Sequence, residues 1–474
     1  MVTTNRKIPH LSNKANSNKL ILYNTLSTII LYAITFFSAP IFSRLLGADN
    51  YGIVQVYNTW VSFFVVILGL YTRGTLAIAK VNFEEDELKK YQSSVLFLSL
   101  IGFLVILMVM LVFSSVVVDF FGLGIGYLII MLLQSFGTYC VYFINTKFTY
   151  EMQAQKNLVI SVTLALINFG LSFLLIKILD GEHLYTGRIL GMAIPYVVAG
   201  IIIVLYIFKQ GKTFYNKKYW KFCLPLCLPL IFHGISGIIC SSSDRVMIQK
   251  MINVTAVGIY ALAYNFANIM DSIWGALHNS WDPFFFEYVK NNQCDELKHR
   301  SKNYIRLYSC LSIGFILLTP EVYRIFASEQ YWEGASIIPI VVLSSYAIFV
   351  YAFAANYEFC YKRTDMVAIG SVIAGITNIV LNFILITLLG YLGAAIATVL
   401  SNIVLVIVHT CFAKKLVKDK WVYNVRMFAP AVIGLIIAMV LYYGFYDIWF
   451  IRWGYALIVG VHMFWNIYKE KTIF

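Results

Sequence analysis

Charged residues are scarce in this chain, at 12% of 474 residues, while hydrophobic residues make up 60%. Soluble domains carry about 25% charged residues, so the composition excludes a soluble globular protein. The apolar residues occur in runs of about 20, the length of a helix that crosses a bilayer. Transmembrane β-strands are excluded as well, because they are about ten residues long and alternate in polarity. We therefore predict an all-α polytopic membrane protein.

Sequence motifs for ATP hydrolysis and metal binding are also missing. The chain has no G-x-x-x-x-G-K-[ST] sequence, which excludes a P-loop ATPase within it. Its eight cysteines form no C-x-x-C pair and lie near no cluster of histidines, so we predict no metal, cofactor or disulfide framework. The longest predicted loop is Glu287–Tyr304, roughly 18 residues, which is too short for a water-soluble catalytic domain.

The net charge of +13 would suggest nucleic acid binding in a soluble protein, but here it is explained by membrane orientation. We count about fourteen apolar spans. With the N-terminus in the cytoplasm, the inner segments carry 28 Lys and Arg and the outer segments carry seven. Because cytoplasmic loops are enriched in these residues, both termini are predicted to be cytoplasmic. No nucleic acid partner is predicted.

An internal repeat organises the sequence. Gly52 and Gly258 hold the same place in two similar stretches that lie 206 residues apart, SRLLGADNYGIVQVYN and SSSDRVMIQKMINVTAVGIYALAYN. Asn168 and Asn378 match at an offset of 210, and the stretches YTGRILG and YLGAAIA match at 206. Three landmarks in the same order indicate duplication of a six-span unit, although chance matches between apolar helices are the alternative.

Six is an even number of spans, so both copies are predicted to point the same way, as two lobes related by a pseudo-twofold axis along the membrane normal. The predicted boundaries follow in chain order. They are a cytoplasmic N-terminal segment at 1–19, an N-lobe with helices 1–6 at 20–210, a basic cytoplasmic linker at 211–221, a C-lobe with helices 7–12 at 222–413, and helices 13–14 with the C-terminus at 414–474.

Arginines near the spans are candidates for binding an anionic substrate. In the ungapped repeat Arg44 matches Lys250, so Arg245 lies five residues deeper, or about 7–8 Å. Ionisable groups inside spans cost about 2.5–3.5 kcal/mol and usually face a cavity or a partner. We place Arg245 and Asp244 in a substrate site, or else in a local ion pair. Arg44 and Arg73 either contact the substrate through a guanidinium fork or reach lipid headgroups.

A polar stripe marks the predicted eighth span. Asn265, Asn268 and Asp271 follow helical spacing, and we add the two asparagines to the substrate site. Asp271 is either a proton or sodium site or an interhelical hydrogen-bond partner. His233, in the proline-containing seventh span, is either a proton shuttle or a bonded core residue. Bent spans of this kind often lie beside a transport cavity.

Four stretches resemble the polysaccharide transport family of lipid-linked oligosaccharide flippases, of the O-antigen, capsule or teichuronic type, in the multidrug/oligosaccharidyl-lipid/polysaccharide exporter superfamily. They are LYNTLSTIILYAITFFSAPIFSRLLGADNYG, SSDRVMIQKMINVTAVGIYALAYN, WDPFFFEYV and TNIVLNFILITLLGYLGAAIATVLSN. The resemblance implies two six-helix lobes, alternating access and a substrate carried on polyprenyl diphosphate. It assigns a binding role to Arg245 and Arg44, and it offers no counterpart for Arg73.

The expected partners are therefore a polyprenyl-diphosphate-linked oligosaccharide, membrane lipids, and a polysaccharide polymerase with glycosyltransferases. Two alternatives stay open. One is a membrane enzyme that polymerises or transfers lipid-linked sugars. The other is a multidrug exporter of the same superfamily, although a cavity for cationic drugs should be acidic and this chain has few intramembrane carboxylates.

Overall fold

The computed structural model describes residues 14–179 and 183–470. Side chains are described from residue 30 onward, apart from those of Leu228, Pro229, His233, Cys240 and Thr364. Every regular element in these ranges is helical, which confirms the all-helical prediction.

Sixteen α-helices occupy the described ranges, with short 3₁₀ segments between some of them. The helices are α1 (Lys14–Leu68), α2 (Leu76–Asn82), α3 (Glu85–Val112), α4 (Ser114–Phe121), α5 (Ile125–Tyr150), α6 (Ala154–Ile178), α7 (Leu184–Gly211), α8 (Lys217–Met251), α9 (Val254–Ala267), α10 (Ile269–Lys290), α11 (Cys294–Phe326), α12 (Ile338–Cys360), α13 (Thr364–Leu389), α14 (Tyr391–Val417), α15 (Val425–Gly444) and α16 (Trp449–Glu470). The 3₁₀ segments are Thr72–Thr75, Glu329–Ile337 and Lys418–Lys420.

The length and composition of these helices make the chain a multi-pass membrane protein. Ten helices in the described ranges are long and apolar enough to cross a bilayer. An eleventh is added if the bent pair Lys217–Cys227 and Leu230–Ile239 forms one span. The count of fourteen spans stays a prediction.

The two counts differ where the helices are broken or polar. The predicted first and second spans, 20–46 and 54–79, fall largely in α1, whose apolar part is a single candidate span. Gly47 separates its two halves with φ 71° and ψ 170°, a conformation that only glycine adopts at low cost. The predicted eighth span is divided at Asn268 into α9, which has only 14 residues, and the more polar α10.

The predicted loop Glu287–Tyr304 is wrong. The helix α10 continues to Lys290 and α11 begins at Cys294, so only residues 291–293 lie between them. Asp295 and Glu296 lie in the first turn of α11, where acidic side chains favour helix formation. Polar residues that look like a loop by hydropathy therefore form helix ends outside the apolar part of the spans.

The chain forms two compact units. The first unit contains the residues up to 38 together with 60–234, and the second contains 39–59 together with the residues from 235 onward. Each unit contains a pair of helices in backbone contact, α6 with α7 in the first and α13 with α14 in the second. The predicted domain boundaries remain predictions.

Glycine allows the close approach within each of these helix pairs. A Cβ atom on Gly187 of α7 would lie 2.9 Å from the carbonyl carbon of Leu175 in α6. In the second unit, a Cβ atom on Gly393 of α14 would overlap the backbone of Leu385 in α13. Small residues let membrane helices approach in this way. Both contacts join positions that the sequence repeat makes equivalent, which supports the duplication.

The two repeated glycine stretches pack against each other inside the second unit. A Cβ atom on Gly52 would overlap the Val254 carbonyl, and a Cβ atom on Gly258 would overlap the Ala48 carbonyl. Gly258 is the repeat equivalent of Gly52, and Val254 is the repeat equivalent of Ala48, both at an offset of 206. The two contacts therefore join the same pair of positions with the roles of the two copies exchanged. A reciprocal contact of this kind is the property of an isologous pair of equivalent surfaces.

The last helices are anchored to α11 by one buried arginine. Arg452 of α16 is only 1% exposed. Its Nη1 atom donates to the Leu317 carbonyl at 2.7 Å, its Nε atom donates to the Phe445 carbonyl at 3.1 Å, and the guanidinium pairs with Glu321. Two backbone carbonyl oxygens and one carboxylate accept the hydrogen bonds of this guanidinium. Arg452 therefore has a structural role.

Asn253 is the N-cap of α9, which begins at Val254. Its side-chain oxygen accepts a hydrogen bond from the Ala256 N–H at 2.8 Å, as an N-cap does. We expect Asn253→Ala to lower the free energy of unfolding by about 1 kcal/mol, because a free N–H remains at the helix start. Asn253→Ser, which keeps a capping oxygen, is the control. Thermal unfolding in detergent measures both, and equal midpoints for the two variants would contradict the capping role.

Candidate functional site

Arg245 lies near the end of α8 and is 8% exposed. Its Nη1 atom donates to the Ser242 hydroxyl at 3.2 Å, and its Nη2 atom donates to the Asn265 side-chain oxygen at 3.4 Å. The guanidinium carbon lies 5.3 Å from the centre of the Tyr264 ring, within the range of a cation–π interaction. The Nε atom is buried and has no hydrogen-bond partner among the described residues. In the described part of the chain, the hydrogen bonds and the ring contact of this cation are therefore with neutral groups.

Asp244 does not pair with the neighbouring guanidinium. Its carboxylate accepts hydrogen bonds from the Tyr260 hydroxyl and from the backbone N–H of Arg245, the latter at 2.8 Å. In the described ranges neither residue forms an ion pair with the other, so a local Asp–Arg ion pair is not what the structure contains. The aspartate instead orients Tyr260 and the backbone, and it acts on the guanidinium through space without a direct ion pair.

Asn265 connects Arg245 to the segment 39–59. Its side-chain oxygen faces Arg245, and its Nδ2 atom donates to the Tyr51 hydroxyl at 3.3 Å. Tyr260 and Tyr264 lie one helical turn apart on α9, and their ring centres are 5.6 Å apart. Residues separated by four positions share one face of a helix, so α9 presents both tyrosines toward the end of α8. The structure thus brings Arg245, Asp244 and Asn265 together.

A column of polar side chains continues along α10. Asn268 lies at the break between α9 and α10, and Asp271, Trp274 and His278 follow at helical spacing. Three of these residues have a buried polar atom without a hydrogen-bond partner among the described residues: Asn268 Oδ1, Asp271 Oδ1 and Trp274 Nε1. Buried polar atoms are normally paired, so three on one helix face indicate a surface suited to a polar ligand.

The part of this column formed by Trp274 and His278 combines two aromatic rings with a neighbouring carboxylate. The rings of Trp274 and His278 are stacked with centres 4.9 Å apart. His278 Nδ1 lies 3.3 Å from an Asp282 carboxylate oxygen, which accepts a hydrogen bond from Asn356 at 2.9 Å. Aromatic faces and paired amide and carboxylate groups provide both apolar contact and hydrogen bonds.

Arg44 has a different role from the one that the sequence suggests. It is exposed, and its Nη2 atom donates to the Ile325 carbonyl at 2.6 Å, one residue before the end of α11. Free carbonyls at a helix C-terminus attract cations. The described contacts of Arg44 are thus explained by helix capping, and they include none of the groups around Arg245.

Arg73 belongs to the first unit, in the 3₁₀ segment Thr72–Thr75. Its guanidinium lies over the rings of Tyr71 and Tyr142, with centroid distances of 5.3 and 5.0 Å. Two aromatic faces account for this partly buried cation without a carboxylate. His233 lies within α8, and its side chain is outside the described residues.

Sequence reasoning missed Tyr51, Tyr260 and Tyr264 around the arginine, and Trp274 and His278 on the column. For four of these five residues, the spacing in the sequence could have indicated a place in the site. Tyr260 and Tyr264 are four residues apart, and Trp274 and His278 extend the polar spacing that led to Asp271. An aromatic residue in an apolar run is usually core, which hides this pattern. Tyr51 is brought to the site by tertiary packing.

Comparison with known sequences places these residues in a family. Residues 18–289 match the family described as polysaccharide biosynthesis protein. A probable low-salt glycan biosynthesis flippase of Haloferax volcanii is 22% identical over 449 residues, which cover 92% of each chain. An uncharacterized membrane protein of Haemophilus influenzae is 24% identical, over 72% of this chain and 83% of that one.

Solved structures show the same fold. The lipid II flippase MurJ, in an inward closed conformation, is similar with a TM-score of 0.73 and 16% identity, over 96% of this chain and 99% of that chain. An inward-facing multidrug resistance MATE family transporter of the MOP superfamily has a TM-score of 0.64 and 15% identity, over 85% and 98% of the two chains. The chain therefore shares the all-helical fold of these two transporters.

Proposed function

Because the chain belongs to the polysaccharide biosynthesis protein family, we propose that it is a flippase for lipid-linked glycan. In this proposal it moves a polyprenyl-diphosphate-linked oligosaccharide from the cytoplasmic to the outer leaflet of a bacterial cytoplasmic membrane. The translocated glycan is then used for cell-surface polysaccharide biosynthesis. The expected partners are the lipid-linked oligosaccharide, membrane lipids, and the polymerase and glycosyltransferases that act before and after translocation.

One observation carries this proposal, the buried guanidinium of Arg245, whose described hydrogen bonds go to neutral groups and leave Nε without a partner. A cation inside a membrane protein is costly unless it meets an anion, a dipole or water. A diphosphate presents oxygens that match the planar fork of arginine and form charge-assisted hydrogen bonds. Asn265 and Ser242 hold the terminal nitrogens in place, and the buried Nε atom remains available. In this proposal Arg245 binds the carrier diphosphate, with Asp244 fixing the surrounding tyrosine.

The polar column of α10 fits the sugar part of the same substrate. A glycan is rich in hydroxyl groups, which both donate and accept hydrogen bonds. The column offers acceptor atoms at Asn268 Oδ1 and Asp271 Oδ1 and a donor at Trp274 Nε1, and these atoms have no hydrogen-bond partner in the described structure. Trp274 also gives an aromatic surface for the apolar face of a sugar ring. An anion site beside a hydrogen-bonding column suits a lipid diphosphate that carries a sugar.

The proposed architecture is fourteen transmembrane helices in two six-helix lobes, with α15 and α16 as the two additional helices. The matched glycine contacts of α6 with α7 and of α13 with α14 support two copies of one unit. Translocation is proposed to occur by alternating access between lobes related by a pseudo-twofold axis along the membrane normal.

The test is translocation in vesicles that contain the purified protein. The lipid substrate is extracted from the cells that make the protein, and its outward appearance is followed with an impermeant enzyme that modifies the glycan. Outward movement with the glycan chemically unchanged is expected. Formation of a new glycosidic bond would instead support a membrane enzyme, and transport of a cationic dye with no movement of the lipid would support a multidrug exporter.

The membrane potential should drive this movement. A diphosphate diester carries about two negative charges, so a potential of about 100 mV, negative inside, contributes roughly 4–5 kcal/mol toward export. We expect collapse of the potential at constant pH gradient to slow outward appearance of the glycan in the vesicle assay. An unchanged rate, together with dependence on a sodium or proton gradient that Asp271→Asn abolishes, would support obligatory ion antiport through Asp271 instead.

A further inference from the structure

A second ionisable pair lies inside the helices, apart from the residues assigned above. Glu358 of α12 and His409 of α14 are both 0% exposed. The His409 Nδ1 atom lies 2.9 Å from each carboxylate oxygen of Glu358. Both residues come from apolar runs, AFAANYEFC and VLVIVHTCF. An ionisable pair inside a membrane protein is expensive to bury and usually has a function.

The free nitrogen of the imidazole adds a second observation. His409 Nε2 is buried and has no hydrogen-bond partner among the described residues. Gly370 of α13 packs directly against the ring, and a Cβ atom there would overlap the imidazole. With Nδ1 held by the carboxylate, Nε2 is the one position where the ring can gain or lose a proton. The hydrogen bond from Asn402 to Ser344 also joins α14 to α12, so the buried pair is not the only polar link between these helices.

The groups packed around Glu358 and His409 determine which net charge of the pair is stable. Tyr351 of α12 faces the imidazole with ring centres 4.7 Å apart. On α13, Arg363 and Asp365 are paired with each other at the exposed end of the helix. In the part of the chain that the structure describes, neither member of the buried pair forms an ion pair with a residue of α9, α10, α11, α13 or α15. The pair must therefore balance its own charge.

We propose that Glu358 and His409 form a proton-binding site whose occupancy is coupled to transport. With one proton on Nε2, imidazolium and carboxylate together are neutral, which suits a dry interior. Loss of that proton leaves a neutral imidazole, still donating Nδ1–H to the carboxylate, and a net charge of −1. That state requires water or a cation at the pair. Movement of α13 away from the imidazole admits water at Nε2 and lets the proton leave.

The inference rests on the proposed transport function, and its consequence is that a pH gradient adds to the driving force. One proton moved per cycle is worth about 1.4 kcal/mol per pH unit. A gradient of one pH unit should thus shift the steady-state ratio of outer to inner lipid about tenfold in wild-type vesicles at fixed potential. The lipid extracted for the translocation assay is the probe. Dependence on the gradient without dependence on Glu358 and His409 would overturn the proposal.

The test variant is the double replacement Glu358→Gln with His409→Gln. Two amides can keep a hydrogen bond between α12 and α14 while no group titrates. This variant should translocate the lipid and lose the tenfold shift with pH gradient. Asp365→Asn, on the exposed end of α13, is the matched control and should retain the shift. A double variant that keeps the full shift shows that the pair is only structural.

A measurement without transported lipid separates this inference from the proposed function. The purified protein is labelled with ¹⁵N-histidine, and the seven histidines are assigned by replacing the six others in turn. His409 should change its protonation at Nε2 between acidic and alkaline buffer, and Glu358→Gln should alter that change, because the imidazolium loses its charge partner. An imidazole that stays neutral throughout overturns the proton site even if translocation itself is observed. Absence of translocation with a normal His409 titration contradicts the flippase proposal alone.

Discussion

Replacing Arg245 with alanine should slow translocation of the lipid-linked glycan by about tenfold to a hundredfold. A hydrogen bond to a charged group is worth about 1.5–3 kcal/mol, and each 1.4 kcal/mol corresponds to a factor of ten. The loss should appear at limiting substrate in the vesicle assay, because the anion contact is removed. Ser242 and Asn265 also lose their donor, but both are polar groups that can bind water in its place.

Two further variants test whether translocation requires the planar guanidinium donors of Arg245 or only its positive charge. Arg245→Lys keeps the charge and loses the planar donors, so we expect partial recovery. Arg363→Ala removes an exposed arginine that is paired with Asp365, and it is the control for loss of a cation elsewhere. Normal translocation by Arg245→Ala, in protein that inserts and unfolds like wild type, would rule out the binding role.

The three arginines show that burial can be predicted from the sequence repeat, whereas contact partners cannot. Arg245 was identified from its depth relative to the repeat, and the structure places it in a buried position. Arg44 and Arg73 were weaker candidates, because each could instead reach lipid headgroups. Their partners, the Ile325 carbonyl and the Tyr71 and Tyr142 rings, include groups far away in the chain. A single sequence carries no information about such contacts.

The buried pair of Glu358 and His409 illustrates the same limit. Each residue is visible in the sequence as an ionisable group in an apolar run. They are 51 residues apart in the chain, and only the packing of α12 against α14 brings the imidazole to the carboxylate. The repeat, in contrast, was readable because close backbone packing demands glycine at fixed places. Gly52 and Gly258 mark the same contact from its two sides.

The reciprocal glycine contact leads to the prediction with the largest expected effect, complete and reversible arrest by a cross-link. Thr255 donates a hydrogen bond to Asp49 beside that contact, so their side chains touch. Cysteines at 49 and 255 should therefore be close enough for a disulfide, which requires Cβ atoms about 3.5–4.5 Å apart. The two positions are equivalent in the repeat, 206 residues apart.

In the proposed alternating access, the segments around residues 49 and 255, which pack within one compact unit in this structure, separate at one stage of each cycle. A covalent bond between residues 49 and 255 forbids that stage, and no binding energy of the substrate can compensate for it. We expect oxidation of the Asp49→Cys, Thr255→Cys protein to stop glycan translocation and reduction to restore it. Each single cysteine variant and the wild type, with its eight native cysteines, should transport equally before and after oxidation. Full transport by the quantitatively cross-linked protein would mean that this contact stays closed throughout the cycle, and the proposed alternation would have to take place elsewhere in the fold.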